Sequence, residues 1–214
     1  MASSIDSLLA HGNQMLTSQL SDIDSVARLI DQEVWLVTAT EGARRGGLCA
    51  TWVSLASIDP ERPLVVAGLA PNHFTAQLVE ESGCFALHLL RPDQASRALS
   101  FALGSGRDRD KLAGLDFAVG QSGAPLLTDC LAWLDCRVVA KYDGGDRWYY
   151  WADVIAGATV TAGEPLREQA LLAAASTEQK QFLKQNRLND ARQNRDLHEV
   201  WRSANLFTPR AHPK

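Results

Sequence analysis

The sequence has few cysteines, and their spacing does not organise them around a metal. Only four cysteines occur in 214 residues, and no two of them have the C-x-x-C spacing that is typical of a zinc site. The five histidines add no cluster of ligands. We therefore expect no metal site, and we interpret the cysteines as reduced, buried thiols of a cytoplasmic protein.

Other absences argue against membranes and nucleic acids as partners. No apolar run approaches the roughly 20 residues of a membrane-spanning helix. The first residues, MASSIDSLLAHG, lack the basic start and long apolar stretch of a secretion signal. The formal net charge of −4 argues against bulk binding to nucleic acid or to anionic membranes.

The usual local signatures of enzymes are also missing. There is no G-x-S-x-G elbow around a nucleophilic serine, no G-x-x-x-x-G-K phosphate loop and no G-x-G-x-x-G turn after a strand. If the chain is an enzyme, we therefore expect a bound cofactor to carry the difficult chemistry.

What the sequence does contain is the pattern of a mainly β protein with a helical region at each end. Apolar residues recur at three- and four-residue spacing in the first 30 residues and again after Thr161. Between them we predict six strands and two helices: strands Val34–Thr40, Leu48–Ile58, Leu64–Ala70, Cys84–Leu90, Leu131–Asp143 and Arg147–Val160, and helices at 72–83 and about 93–104. This predicts a helical segment at 1–32, an antiparallel barrel at 33–161 and a helical extension at 162–214.

The extension begins with a recognisable helix start. Ser176 and Gln179 have the S-x-x-Q spacing of a capping box. The long helix that follows carries many charges, so it must lie on another surface. Its own barrel or a second subunit could provide that surface, and we favour the second.

The stretch NHFTAQLVEESG predicts a complete short helix with an unusual start. Asn72 can cap its first turn and Gly83 can end it in a left-handed conformation. Asn72, His73 and Thr75 place three hydrogen-bonding side chains beside unpaired backbone N–H groups, where an anion such as phosphate can bind. The same pattern also fits an ordinary helix cap.

Two further segments could contact a ligand or could simply pack. The stretch GGLCATWVSLASIDP carries small side chains along a strand, which leaves backbone groups accessible to a planar heterocycle. In RWYYW, β alternation places Trp148 and Tyr150 on one face and Arg147, Tyr149 and Trp151 on the other. These aromatic side chains could flank a ligand, or they could fill a barrel core or a dimer interface.

Taken together, the segments resemble the flavin reductase-like family, the FMN-binding split barrels. Four blocks carry the resemblance, which covers roughly residues 34–155. GLCATWVSLASIDPERPLVVAGL is similar to the family's G-M-T-A strand pair, and NHFTAQLVEESGCFALHLL to its H-T helix block. FALGSGRDRDKLAGL is similar to its D-K-F-x-G-L loop, and GAPLLTDCLAWLDCRVVAKYDGGDRWYYWADV to its final hairpin.

The resemblance implies a mainly β, Greek-key split β-barrel with N- and C-terminal helices that binds FMN or FAD, usually as a homodimer. It implies hydride transfer from NADH or NADPH to flavin, and in some members supply of reduced flavin to a partner monooxygenase. Carried onto this chain, it implies flavin contacts from residues in two groups: Leu48, Cys49, Ala50, Thr51 and Trp52 along the ring, and Ser57, Asn72, His73 and Thr75 at the phosphate end.

The chain departs from the family pattern at two places. Thr51 and Trp52 stand where the family has Asn-Ser, and Arg147 stands where many reductases have the histidine of G-D-H. Arginine does not titrate near neutral pH, so Arg147 would act as an anion or π-face clamp rather than as a proton donor. The change leaves open a flavin-binding carrier, sensor or subunit without turnover. A split barrel that binds pyridoxal phosphate or haem is a third alternative.

Overall fold

A computed structural model describes residues 25–27 and 29–206. The chain divides into two compact units between Gln32 and Glu33. In the first unit residues 25–27 are helical and residues 29–32 are not, although the helical segment was predicted to reach residue 32. The rest of that prediction, at 1–24 and 28, lies outside the described residues. The second unit contains every other feature described below.

Seven antiparallel strands form the main sheet, in the order β2-β1-β5-β8-β9-β4-β3. Two short strands, β6 and β7, pair separately. The bounds are β1 Trp35–Glu41, β2 Arg44–Ala50, β3 Val53–Leu55, β4 Leu64–Leu69, β5 Cys84–Leu89, β6 Phe117–Val119, β7 Pro125–Leu127, β8 Ala132–Asp143 and β9 Trp148–Thr159.

The sheet curls because its two edge strands are neighbours in the chain. β2 and β3 lie at opposite edges, yet only Thr51 and Trp52 separate them. Three peptide steps span at most about 11 Å, so the two edges must lie close together. Gly68 N–H, in β4, also donates to Trp52 O at 2.8 Å. The predicted mainly β split barrel is confirmed.

The prediction of one continuous strand at Leu48–Ile58 is wrong. The structure divides it at Thr51–Trp52, where the chain passes from one sheet edge to the other. The strand also begins earlier than predicted, because Arg44–Gly47 already pairs with β1. The β6–β7 pair was not predicted. The long hairpin of β8 and β9 is confirmed.

In the described part of the second unit, the α-helices are α1 Phe74–Ser82, α2 Ala95–Ala102, α3 Glu168–Ala174, α4 Thr177–Gln193 and α5 Arg195–Ala204. α1 ends at Gly83 in the left-handed conformation, as predicted. α2 starts slightly later than the predicted residue 93, because Pro92–Gln94 forms a 3-10 turn before it. Buried side chains of α1 pack on one hydrophobic cluster and those of α2 and α3 on a second.

The C-terminal helices contact their own barrel, one of the two surfaces that we considered for them, and packing on a second subunit stays a prediction. The predicted capping box is confirmed: Ser176 Oγ accepts from Gln179 N–H at 3.2 Å, and Gln179 Oε1 accepts from Ser176 N–H at 2.8 Å. The predicted long helix is interrupted at Asn194. Beyond it, Trp201 of α5 meets Tyr142 of β8 edge-on, with ring centroids 6.4 Å apart.

Candidate functional site

Two adjoining cavities lie where the end of β2 meets the start of α1. The larger, of about 560 Å³, is walled by the end of β2, the start of α1, the loop after α2 and one face of α4. The smaller, of about 130 Å³, lies along residues 48–52 and 68–70. Leu48, Cys49, His73 and Arg147 line both. The four shared residues make the cavities neighbouring parts of one site.

Nearly all the residues predicted from sequence come together here. The smaller cavity is lined by Leu48, Cys49, Ala50, Thr51, Trp52, His73 and Arg147, and the larger adds Asn72 and Thr75. Ser57 is the exception, because it lines neither cavity. Its Oγ instead accepts from Asp59 N–H at 3.0 Å and stabilises a turn after β3.

Trp52 and Arg147 form one wall of the smaller cavity. The Arg147 guanidinium lies 5.0 Å from the centroid of the Trp52 ring, within the range of a cation–π contact. The Trp52 side chain is 45% exposed although it is large and apolar. An exposed indole that holds a cation at a cavity provides a flat surface against which another ring can stack.

The predicted cap at Asn72 is wrong. α1 begins at Phe74, its N-cap residue is His73, and no side chain caps the helix. Asn72 and His73 instead bind a carboxylate of α4. Asn72 Nδ2 lies 2.9 Å from Asp190 Oδ1, and His73 Nε2 lies 2.9 Å from Asp190 Oδ2. Asn72 and His73 were predicted to bind an anion such as phosphate. In the structure they bind an anionic group of the same chain, the Asp190 carboxylate.

Asp190 is ionised at neutral pH. Its partial burial acts to raise its pKa, but the hydrogen bonds from His73 and Asn72 and the nearby charge of Arg147 outweigh burial. The pKa therefore lies below its ordinary value.

Sequence reasoning missed Lys111. Its Nζ donates to Phe101 O at 2.6 Å, and its side chain is buried at the larger cavity. Burial lowers the pKa of Lys111 to about 8, and the charge of Arg109 acts in the same direction. A lysine directly before the apolar stretch LAGL is the signal that could have marked it, because buried lysines are rare.

Cys49 also lies at the cavities, but it is not a reactive thiol. Burial raises the pKa of Cys49 to about 12, so the thiol stays protonated at neutral pH. Cys49 therefore contributes its backbone and a small apolar side chain to the wall.

A third cavity, of about 510 Å³, continues from the larger one and is rich in arginine. Phe74 and Arg107 line both, and Arg107 lies 5.8 Å from the centroid of the Phe74 ring. Arg107 Nη1 also donates to Asn72 O at 3.1 Å, directly before α1. The other arginines of the third cavity are Arg44, Arg45 and Arg109.

Comparison with known proteins identifies the family. The flavin reductase like domain matches residues 27–175, well over half of the chain. This chain belongs to the flavin reductase-like family. Helices α4 and α5 follow the matched residues, so the α4 face of the larger cavity comes from outside the matched domain.

The curated relatives of this flavin reductase-like protein include larger and comparable proteins. It is 31% identical over 131 residues to the flavin-dependent monooxygenase reductase subunit HsaB of Rhodococcus jostii, covering 61% of this chain and 64% of that protein. It is 27% identical over 150 residues to diflavin flavoprotein A 1 of Synechocystis, covering 70% of this chain and 26% of that protein. The match thus spans less than two thirds of either relative.

Among solved structures, the chain is similar to the NADH:FAD oxidoreductase SgcE6 of Streptomyces globisporus. The two are 27% identical with a TM-score of 0.59, over 64% of this chain and 81% of that one.

Within the described residues there is no group of three or more side chains that could hold a metal ion. None of the described helices has the length and apolar character needed to cross a membrane.

Proposed function

We propose that this protein binds FMN or FAD and catalyses hydride transfer from NADH or NADPH to the flavin. The observation that carries the proposal is the pair of adjoining cavities, where the β2–β3 crossing, the start of α1 and Arg147 meet. Their combined size lies within the range of about 300–1,000 Å³ that is usual for small-molecule sites.

The side chains and backbone groups that line the smaller cavity are chemically suited to contact the flavin ring. Residues 48–52 offer backbone N–H and C=O groups beside small side chains, and the protonated Cys49 adds no charge. Thr51 is the side chain that we expect to contact the ring. Trp52 and Arg147 supply a flat face and a fixed positive charge.

The phosphate end fits the start of α1. Unpaired N–H groups of the first turn, the side chains of Asn72, His73 and Thr75, and the guanidinium of Arg107 converge there. Arg107 lies where the larger and third cavities meet, so it would bind either the FMN phosphate or the diphosphate of FAD.

Bound flavin supplies the hydride-accepting chemistry, so the protein needs no catalytic acid or base at the reacting carbon. The chain holds the rings in contact and excludes water from them. The Arg147 guanidinium would orient the nicotinamide dinucleotide through its phosphates or its ring.

The identity of residue 147 favours a second candidate function, flavin binding without turnover. Where many reductases of this family have histidine, this chain has an arginine that already lies against Trp52. A flavin-binding carrier, sensor or subunit without turnover would keep the flavin contacts and lack the nicotinamide site.

We further propose that the protein is a cytoplasmic homodimer and that its partner is a monooxygenase, which receives the reduced flavin.

The experiment is a fluorescence titration of the purified protein with FMN and FAD, followed by NADH and NADPH oxidation on the same sample. We expect flavin binding and flavin-dependent oxidation. Arg147→Gln should lower the oxidation rate by roughly tenfold or more, since it removes the charge at the site. Arg137→Gln, an exposed arginine on β8, is the matched control and should have no effect.

Two other outcomes would contradict this expectation. Binding with no oxidation of either nucleotide would support the carrier and contradict the reductase. If neither flavin binds to the folded protein, both functions are wrong.

A further inference from the structure

Asp190 occupies two of the side-chain donors that the proposed function assigns to the flavin phosphate, those of Asn72 and His73. Each oxygen of its carboxylate is 2.9 Å from one donor, Oδ1 from Asn72 Nδ2 and Oδ2 from His73 Nε2. The carboxylate is negatively charged at neutral pH. It therefore satisfies the charge preference of this helix start in the way that a bound phosphate would.

The contact comes from the C-terminal extension. α4 lies beyond residues 27–175, which match the family. Its residues 182, 183, 186, 187, 189, 190 and 193 place one mostly polar face of α4 on the larger cavity, with Phe182 and Leu183 as its apolar members. Gln193 on this face also accepts from Asn72 Nδ2, at 3.1 Å.

α4 is held against the barrel by few apolar contacts. None of its side chains is buried, and Leu183 is the residue of α4 that packs against a hydrophobic cluster. The hydrogen bonds through Asp190 are therefore a substantial part of what fixes the middle and end of this helix. Breaking them in exchange for a phosphate would uncover little apolar surface.

We propose that Asp190 is an intramolecular competitor for the phosphate of the flavin. The inference rests on the proposed function and deepens it, because it makes Asp190 the residue that sets how strongly the site prefers FMN to uncharged riboflavin. Two anions cannot share the Asn72 and His73 donors, since their like charges repel at this separation. Binding of FMN releases the carboxylate, whereas riboflavin leaves it in place.

The test compares the dissociation constants of FMN and riboflavin for the wild-type protein and for Asp190→Asn. We expect the variant to bind FMN more tightly by roughly tenfold or more and to bind riboflavin unchanged. Asp196→Asn is the matched control, because Asp196 is an exposed residue of α5 outside both cavities. The control should leave both constants unchanged, which excludes a general effect of net charge.

A second measurement needs no variant. Amide hydrogen exchange over residues 177–193 of the wild-type protein should become faster when FMN is added and stay constant with riboflavin, because α4 loses its contacts to Asn72 and His73 only with FMN. Slower or unchanged exchange with FMN would overturn the proposal.

Other outcomes separate this inference from the proposed function. If both proteins bind FMN with the same affinity, or if Asp190→Asn binds FMN more weakly, Asp190 is no competitor while the flavin site stands. An equal gain for riboflavin would also overturn the competition. If the wild-type protein binds neither flavin, the proposed function fails and the inference fails with it.

Discussion

His88 lies in β5 with no exposed surface, and its two ring nitrogens have different partners. Nε2 lies 3.0 Å from Leu127 N, and Nδ1 lies 3.2 Å from Leu36 O. A backbone N–H can only donate, so Nε2 must be the unprotonated nitrogen and Nδ1 must donate to Leu36 O. Burial lowers the pKa of His88 to about 4. The neutral ring is therefore part of the structure that joins β1, β5 and β7.

His88 predicts a loss of stability in mild acid. Because the pKa of His88 is lower in the folded protein than the ordinary 6.5, the unfolded chain binds more protons between the two values. The free energy of unfolding should fall as the pH drops from about 6.5 to about 4, by up to about 3 kcal/mol. Urea unfolding at several pH values measures this. His88→Gln should reduce the slope, and parallel curves for the two proteins would contradict the assignment.

At the scale of elements, β2 is the strand on which the candidate site depends. Its glycines alternate between two faces. A Cβ added to Gly46 would lie 3.0 Å from the Phe74 ring of α1, and one added to Gly47 would lie 2.4 Å from the Phe101 ring of α2. The two helices therefore lie directly against the strand backbone. This close approach sets the distance between the start of α1 and the end of α2, which are walls of the larger cavity.

Gly47→Ala should destabilise the protein by about 1–3 kcal/mol, because a methyl group cannot fit against Phe101 without displacing it. Denaturant unfolding measures the loss. In the double variant with Phe101→Leu the smaller side chain should recover part of it. Strictly additive losses from the two substitutions would show that the Gly47–Phe101 contact is not the cause.

At the scale of the whole molecule, the charge is distributed unevenly. The formal net charge is −4, yet among the charged side chains that line the larger and third cavities the basic ones outnumber the acidic ones. The basic residues are Arg44, Arg45, Arg107, Arg109, Lys111, Arg147 and Arg187, and the acidic ones are Asp108, Asp110 and Asp190. A locally positive cleft on an acidic protein attracts small anions and not polyanionic surfaces.

This distribution predicts that salt weakens flavin binding only where the flavin carries phosphate. Between about 0.05 and 0.5 M salt the FMN dissociation constant should rise roughly threefold or more as the screening length shortens. The riboflavin constant should stay constant. Equal salt dependence for both ligands, measured by fluorescence titration, would show that these charges do not act on the phosphate.

Sequence analysis alone predicted most of the elements and most of the residues that line the candidate site. Alternating and helical apolar spacing, Gly83, and the Ser176–Gln179 capping box are local signals, and local physics decides them. That residues 48–52 and 72–75 lie near one another was expected from the resemblance to the split-barrel family, in which both segments contact the flavin.

What lies opposite those residues depends on how distant elements pack. The sequence around Asn72 favours a helix cap, but the partner of its side chain is Asp190, 118 residues later. The break of the predicted strand at Thr51–Trp52 follows from sheet closure, and Lys111 is at the cavity because its loop folds back on α2. Contacts between distant segments depend on how the elements pack, and no local pattern encodes them.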